Sequence, residues 1–165
     1  MRAAHDHAVA QKGTDPADTP IAAILVRDGR EVARGVNRTA ECCDATAHAE
    51  IVTLRAGGEA VGDMRIEGAT LYSTLQPCGM CTFASIWAGV SRIVYGAGRD
   101  DVHEMYFEDR HLSTLDFVAD AYKDALELVG GIIASECARL YYGPDDDVPE
   151  SEQANDKARR CAVTT

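Results

Sequence analysis

The sequence predicts an α/β fold: a three-layer α/β/α sandwich built on a mixed central sheet. Three observations predict it. Strand-like and helix-like segments follow one another in the order β-β-α-β-α-β-α. The first two strands are separated only by Asp28-Gly29, a hairpin turn that makes them antiparallel. The third and fourth strands are joined by a helix, which makes them parallel.

The elements follow in order. The first dozen residues have the spacing of a short helix, and 15–20 form a turn-rich link. Ala22 to Arg27 and Glu31 to Val36 are the hairpin strands, and Asn37 to Ala45 is a polar loop. Thr46 opens a helix that Gly57-Gly58 stops. Ala69 to Thr74 is the third strand. Pro77 starts a second helix, running to about Ala88 and closed by Gly89. Arg92 to Tyr95 is a buried strand ended by Gly96, and 100–111 is irregular. A helix near Leu115–Glu127, a short strand at Leu128–Val129 and a closing helix from Ile132 to Tyr142 complete the domain.

Length and composition fit that reading. The chain has 165 residues, enough for one domain with its own core. Apolar residues are 46% and charged residues 26%, so disorder and coiled coil do not describe the whole chain. No apolar run approaches the ~18 residues of a membrane span. No apolar signal segment opens the sequence, so a cytoplasmic location is expected, with no membrane partner. Residues 1–143 read as one domain, and 144–165 as an acidic tail.

Charge bears on partners. The net charge is −11, and the tail, with six acidic and three basic side chains, leaves −8 on the rest. Nucleic-acid binding draws on Lys/Arg contacts with phosphates, so this balance argues against a nucleic-acid partner.

The chemistry concentrates in two places: His48-Ala49-Glu50, and Pro77-Cys78-Gly79-Met80-Cys81. Each sits near the start of an expected helix, at the carboxyl end of a strand, where sites of α/β sheets collect. With no secretory signal, disulfides are not expected among the six cysteines, and a C-x-x-C pair reads as metal-binding or redox-active. One imidazole and two thiolates are three zinc ligands that leave a fourth tetrahedral position open, as in catalytic sites. The expected cofactor is one Zn2+ held by His48, Cys78 and Cys81. Glu50, two residues past the histidine, is then placed to move a proton rather than bind metal. H-x-E followed by P-C-x-x-C is the signature of zinc nucleobase deaminases.

Residues 20 to about 142 resemble the cytidine deaminase-like superfamily, with bacterial guanine deaminases and fungal-type cytosine deaminases nearest in look. The resemblance rests on Ala47-His48-Ala49-Glu50-Ile51, on the run LYSTLQPCGMCT at 71–82, on Trp87-Ala88 and on Arg27-Asp28-Gly29. It departs at Ile21, where an aromatic is common, and at Gln76, where Glu is common.

The resemblance implies hydrolytic deamination of a free amino-purine, guanine-like base, with ammonia released. Alternatives are a cytosine-type base deaminase and a tRNA adenosine deaminase; a zinc-stabilised binding module is the non-enzyme alternative. It also implies a small-molecule base as partner and a homodimer. Asn37 is the expected ring contact, through an amide that both donates and accepts. The backbone N–H of Ala49, with that of Cys78 or Gly79, is a further expected contact. Glu108 and Asp109 are expected to receive the N–H groups of a guanine-like ring. Trp87, Tyr106 and Phe107 fit base stacking or core packing equally. His103, His111, Cys42 and Cys43 carry no assigned role.

Overall fold

The hairpin sets the register of the sheet. In the computed structural model, β1 (Ala22–Arg27) and β2 (Arg30–Val36) pair antiparallel. Asp28 and Gly29 between them both have positive φ, 51° and 72°, as a tight primed turn requires. β1 pairs antiparallel on its other side with β3 (Thr70–Leu75). β3 pairs parallel with β4 (Arg92–Ala97), and β4 parallel with β5 (Glu127–Val129). The order is β2-β1-β3-β4-β5, a mixed sheet as expected. The structure describes residues 1–11, 20–107, 114–119 and 126–149.

Helices cover both faces. On one lie α3 (Ala49–Val61) and α4 (Gly79–Trp87). Ala49 and Leu54 of α3 join Ala23, Leu25, Leu71 and Ile93 in one buried cluster, with Ala84 and Ile86 of α4 against it. On the other face, α1 (Arg2–Gln11) and α6 (Ala134–Ala138) bring Ala8 and Cys137 against Ala22, Leu75 and Ala97. Consecutive β1 residues thus serve opposite clusters, the period-two signature of a strand buried on both sides. A four-residue helix, α2 (Thr39–Cys42), interrupts the expected polar loop. α5 (Thr114–Ala119) stands near the expected helix at 115–127, whose last residue instead opens β5.

Other boundaries also differ. α3 begins at Ala49 rather than Thr46, because His48 has extended backbone and caps it. It then runs through Gly57-Gly58 to Gly62, which has φ 73°. A Cβ on Gly57 would lie 2.4 Å from the Leu25 Cδ2, so this glycine is a contact with the sheet rather than a stop. β4 likewise passes through Gly96, where a Cβ would meet Cys137 Sγ at 2.3 Å. The closing helix is five residues, shorter than expected. The expected link at 15–20 falls largely outside the described residues, as do the tail from 150 onward, Glu108, Asp109 and His111. No described helix is long and apolar enough to cross a membrane.

Candidate metal centre and active site

Two helix starts meet at the carboxyl end of β3. His48 caps α3 and Cys78 caps α4, both with extended backbone, and Cys81 lies in the first turn of α4. His48 Nδ1 lies 3.6 Å from Cys78 Sγ and 3.6 Å from Cys81 Sγ. The three ligand atoms all fall within 4.8 Å of one another. Bond lengths of about 2.3 Å to sulfur and 2.05 Å to nitrogen, at a tetrahedral angle, put N and S about 3.6 Å apart. The donor set and its spacing therefore fit zinc, with a fourth corner left for a further ligand.

The two thiols divide one proton unequally. Cys78 is pushed down to about 4, chiefly by the hydrogen bond it accepts from Cys81, helped by His48. Cys81, fully buried, is pushed strongly up by that same bond and by burial. Metal binding must therefore expel the Cys81 proton. The N-terminus of α4 favours negative charge at both sulfurs.

Glu50 sits in the first turn of α3 and is 3% exposed. Burial, then the nearby Cys78, raises its carboxyl above the usual carboxylate range. Its Oε2 is 3.5 Å from Cys81 Sγ, beside the metal ligands, and its Oε1 accepts a 3.0 Å bond from the Ser73 hydroxyl. A buried, perturbed carboxyl next to a metal site is the pattern of a functional acid–base group. Ser73 was not a sequence candidate. It lies in a strand buried on both faces, so alternation does not single it out, and nothing local shows that it meets Glu50.

The remaining candidates separate. Asn37 follows β2; its N–H donates to Ile21 O, and its Nδ2 donates to Thr39 Oγ1 at 3.2 Å. Arg38 N–H donates to Ala47 O, which ties the Asn37 segment to the approach to His48. Ala49 opens α3 and is fully buried. Phe107 is buried under the Arg99 guanidinium, 4.5 Å from its ring centre. Tyr106 stacks edge-on against Tyr141. These two rings are core packing, whereas Trp87 is 80% exposed on α4. Gln76 Oε1 accepts from Arg99 N–H. His103 caps a short turn by accepting from Met105 N–H. Cys42 is exposed, and Cys43 is disulfide-bonded, against the expectation of no disulfides.

The model of the cytidine and deoxycytidylate deaminase zinc-binding region matches residues 1–97. The chain belongs to this family. It is 52% identical over 80 residues to a tRNA-specific adenosine deaminase of Agrobacterium fabrum, 48% of this chain and 53% of that protein. It thus spans about half the length of that relative. It is 36% identical over 123 residues to a tRNA-specific adenosine deaminase of Buchnera aphidicola, 74% of this chain and 78% of that one. A guanine deaminase of Bacillus subtilis is 34% identical over 90 residues, 54% of this chain and 58% of that one. A solved structure from a study of A-to-I editing by tRNA:A34 deaminases superposes with a TM-score of 0.69. Its identity is 35%, covering 85% of this chain and 96% of that one. The fold and the resemblance read from the sequence are both borne out.

Proposed function

We propose that this protein is a zinc-dependent hydrolase that deaminates adenosine in tRNA, releasing ammonia. One observation carries the substrate: the alignment over about three quarters of both chains with a tRNA-specific adenosine deaminase. It favours the tRNA alternative over the free guanine-like base that leads from the sequence alone. The chemistry itself is supported by the site.

His48, Cys78 and Cys81 would hold zinc, which when bound would supply Lewis-acid activation of the attacking water, whose pKa such an ion brings toward roughly 7. Glu50 takes a proton from the attacking water as it bonds to the amino-bearing ring carbon. Its burial holds the carboxyl closer to neutrality, which suits a group that must both accept and return a proton. Glu50 passes that proton to the ring nitrogen, then takes the remaining proton from the hydroxyl now on the ring carbon and gives it to the amine, which leaves as ammonia as the C–N bond breaks and the carbonyl forms. Ala49 N–H, at the start of α3 where amides point out of the helix, and the Asn37 amide hold the base ring.

The second reading is deamination of a free guanine-like base. The net charge of −11 favours it, because few phosphate contacts are expected of so acidic a chain. Its expected ring acceptors, Glu108 and Asp109, lie outside the described residues.

The test is ammonia release, with zinc-loaded protein, from a tRNA anticodon stem-loop bearing adenosine at the wobble position. Guanine, adenine, cytosine and free adenosine are run beside it. Turnover of the stem-loop above every free base is expected. Guanine turnover exceeding it would install the second reading.

A further inference from the structure

We infer that Ser73 is a positioning residue, holding one oxygen of Glu50 so that the other faces the metal ligands. This rests on the proton-shuttle role proposed for Glu50. The geometry divides that carboxyl in two. Oε1 accepts the Ser73 hydroxyl at 3.0 Å, and Oε2 lies on the ligand side, 3.5 Å from Cys81 Sγ. Ser73 has a single hydroxyl proton to give, and Glu50 Oε1 receives it.

The platform is rigid. Ser73 is 0% exposed in β3, paired with Ala23 of β1 on one side and Tyr95 of β4 on the other. Glu50 rides on a different element, the first turn of α3. The bond therefore ties helix to strand at the reacting group. Without it no hydroxyl fixes Oε1, and a misplacement near 1 Å costs about 10²-fold in rate. Neighbouring Thr74 is equally buried but points to the opposite face, where it meets Tyr141, so Ser73 alone of this pair reaches the site.

The experiment uses zinc-loaded Ser73→Ala, Ser73→Thr and Glu50→Gln proteins, and the Ser73→Ala/Glu50→Gln double variant. The probe is the adenosine-bearing anticodon stem-loop, under single turnover for the slow variants. Ser73→Ala is expected to lower kcat about 10- to 100-fold with KM within about twofold. One zinc per chain is retained, and Ser73→Thr, which keeps the hydroxyl, recovers most of the rate. In the Glu50→Gln background Ser73→Ala is expected to change the residual rate less than about twofold, since the group it positions is gone. Equal losses in both backgrounds would mark a merely structural role and overturn the inference.

Melting gives a readout without turnover. Ser73→Ala is expected to lower the Tm of the zinc-loaded protein by about 3 °C, and by under about 1 °C in a Glu50→Leu background. The same shift in both backgrounds would mean that the bond does not form, and the inference falls. If Glu50→Gln leaves turnover intact, the proton-shuttle reading fails instead.

Discussion

A buried carboxyl and a buried thiol sit side by side at Glu50 and Cys81, an arrangement that folding alone does not favour. Burying a charge without a partner costs several kcal/mol; burial holds Glu50 toward its neutral form, and the bond to Cys78 together with burial does the same for Cys81. A metal changes that balance, because it takes the place of the Cys81 proton. Cys78→Ala or Cys81→Ala is therefore expected to abolish stoichiometric zinc and to lower Tm, read by metal analysis and melting together. Glu50→Gln is expected to keep one zinc per chain while turnover falls about 10²- to 10⁴-fold, since proton transfer alone is removed. A Glu50→Gln protein with near-native turnover would end the shuttle role. These four residues were legible in the sequence because each pair is local: three positions hold His48 and Glu50, and four hold Cys78 and Cys81. Ser73 was not, because its meaning lies in a contact across 23 positions of chain.

Strands and helices explain where sequence reading went astray. Read locally, Gly57-Gly58 and Gly96 signal the ends of elements, the commonest local meaning of glycine. Here Gly57 and Gly96 mark places where elements close on one another, and a helix or strand continues through them. Packing that α3 makes against the sheet offsets the helix cost of glycine, about 1 kcal/mol per residue. Gly96→Ala is expected to destabilise by about 2 kcal/mol, read as a lower urea midpoint, because its Cβ would overlap Cys137. β1 itself was legible, since burial on both faces left an unbroken apolar run from Ala22 to Val26. Across the sheet, the Tyr141 hydroxyl meets the Thr74 hydroxyl at 2.7 Å in a buried setting. Burial raises the Tyr141 phenol above its ordinary value near 10. Its contribution is therefore full below about pH 10 and lost as pH rises beyond, where only the unfolded chain ionises readily. Tyr141→Phe is expected to cost about 1 kcal/mol at pH 7 and less at pH 10.5, compared by urea unfolding at the two values.

At the scale of the whole molecule, acidity and the proposed tRNA substrate pull in opposite directions. Several exposed arginines already face carboxylates: Arg34 with Glu31, Arg38 with Glu41, Arg55 with Asp44, Arg65 with Glu67 and Arg92 with Glu127. A phosphate binding at any of them would have to displace its partner, and exposed pairs of this kind are weakly held. Arg38 matters most, because it directly follows Asn37 and its backbone is bonded to the segment entering His48. Its guanidinium is held by Glu41 through Nε and Nη2, so the pair is bidentate. Removing the Glu41 charge leaves Arg38 available at the edge of the site without touching any residue of the chemistry. Glu41→Gln is therefore expected to raise kcat/KM on the adenosine-bearing stem-loop severalfold at low salt. The advantage should fade toward 0.5 M salt, where exposed charges are screened beyond about 4 Å. Turnover of an uncharged free base should not change at any salt concentration, because no phosphate is present to be attracted. Measuring both substrates across a salt series separates the two functional readings. A stem-loop rate indifferent to Glu41 and to salt would mean that phosphates do not meet this edge of the protein. The acidic surface would then fit the free-base reading better.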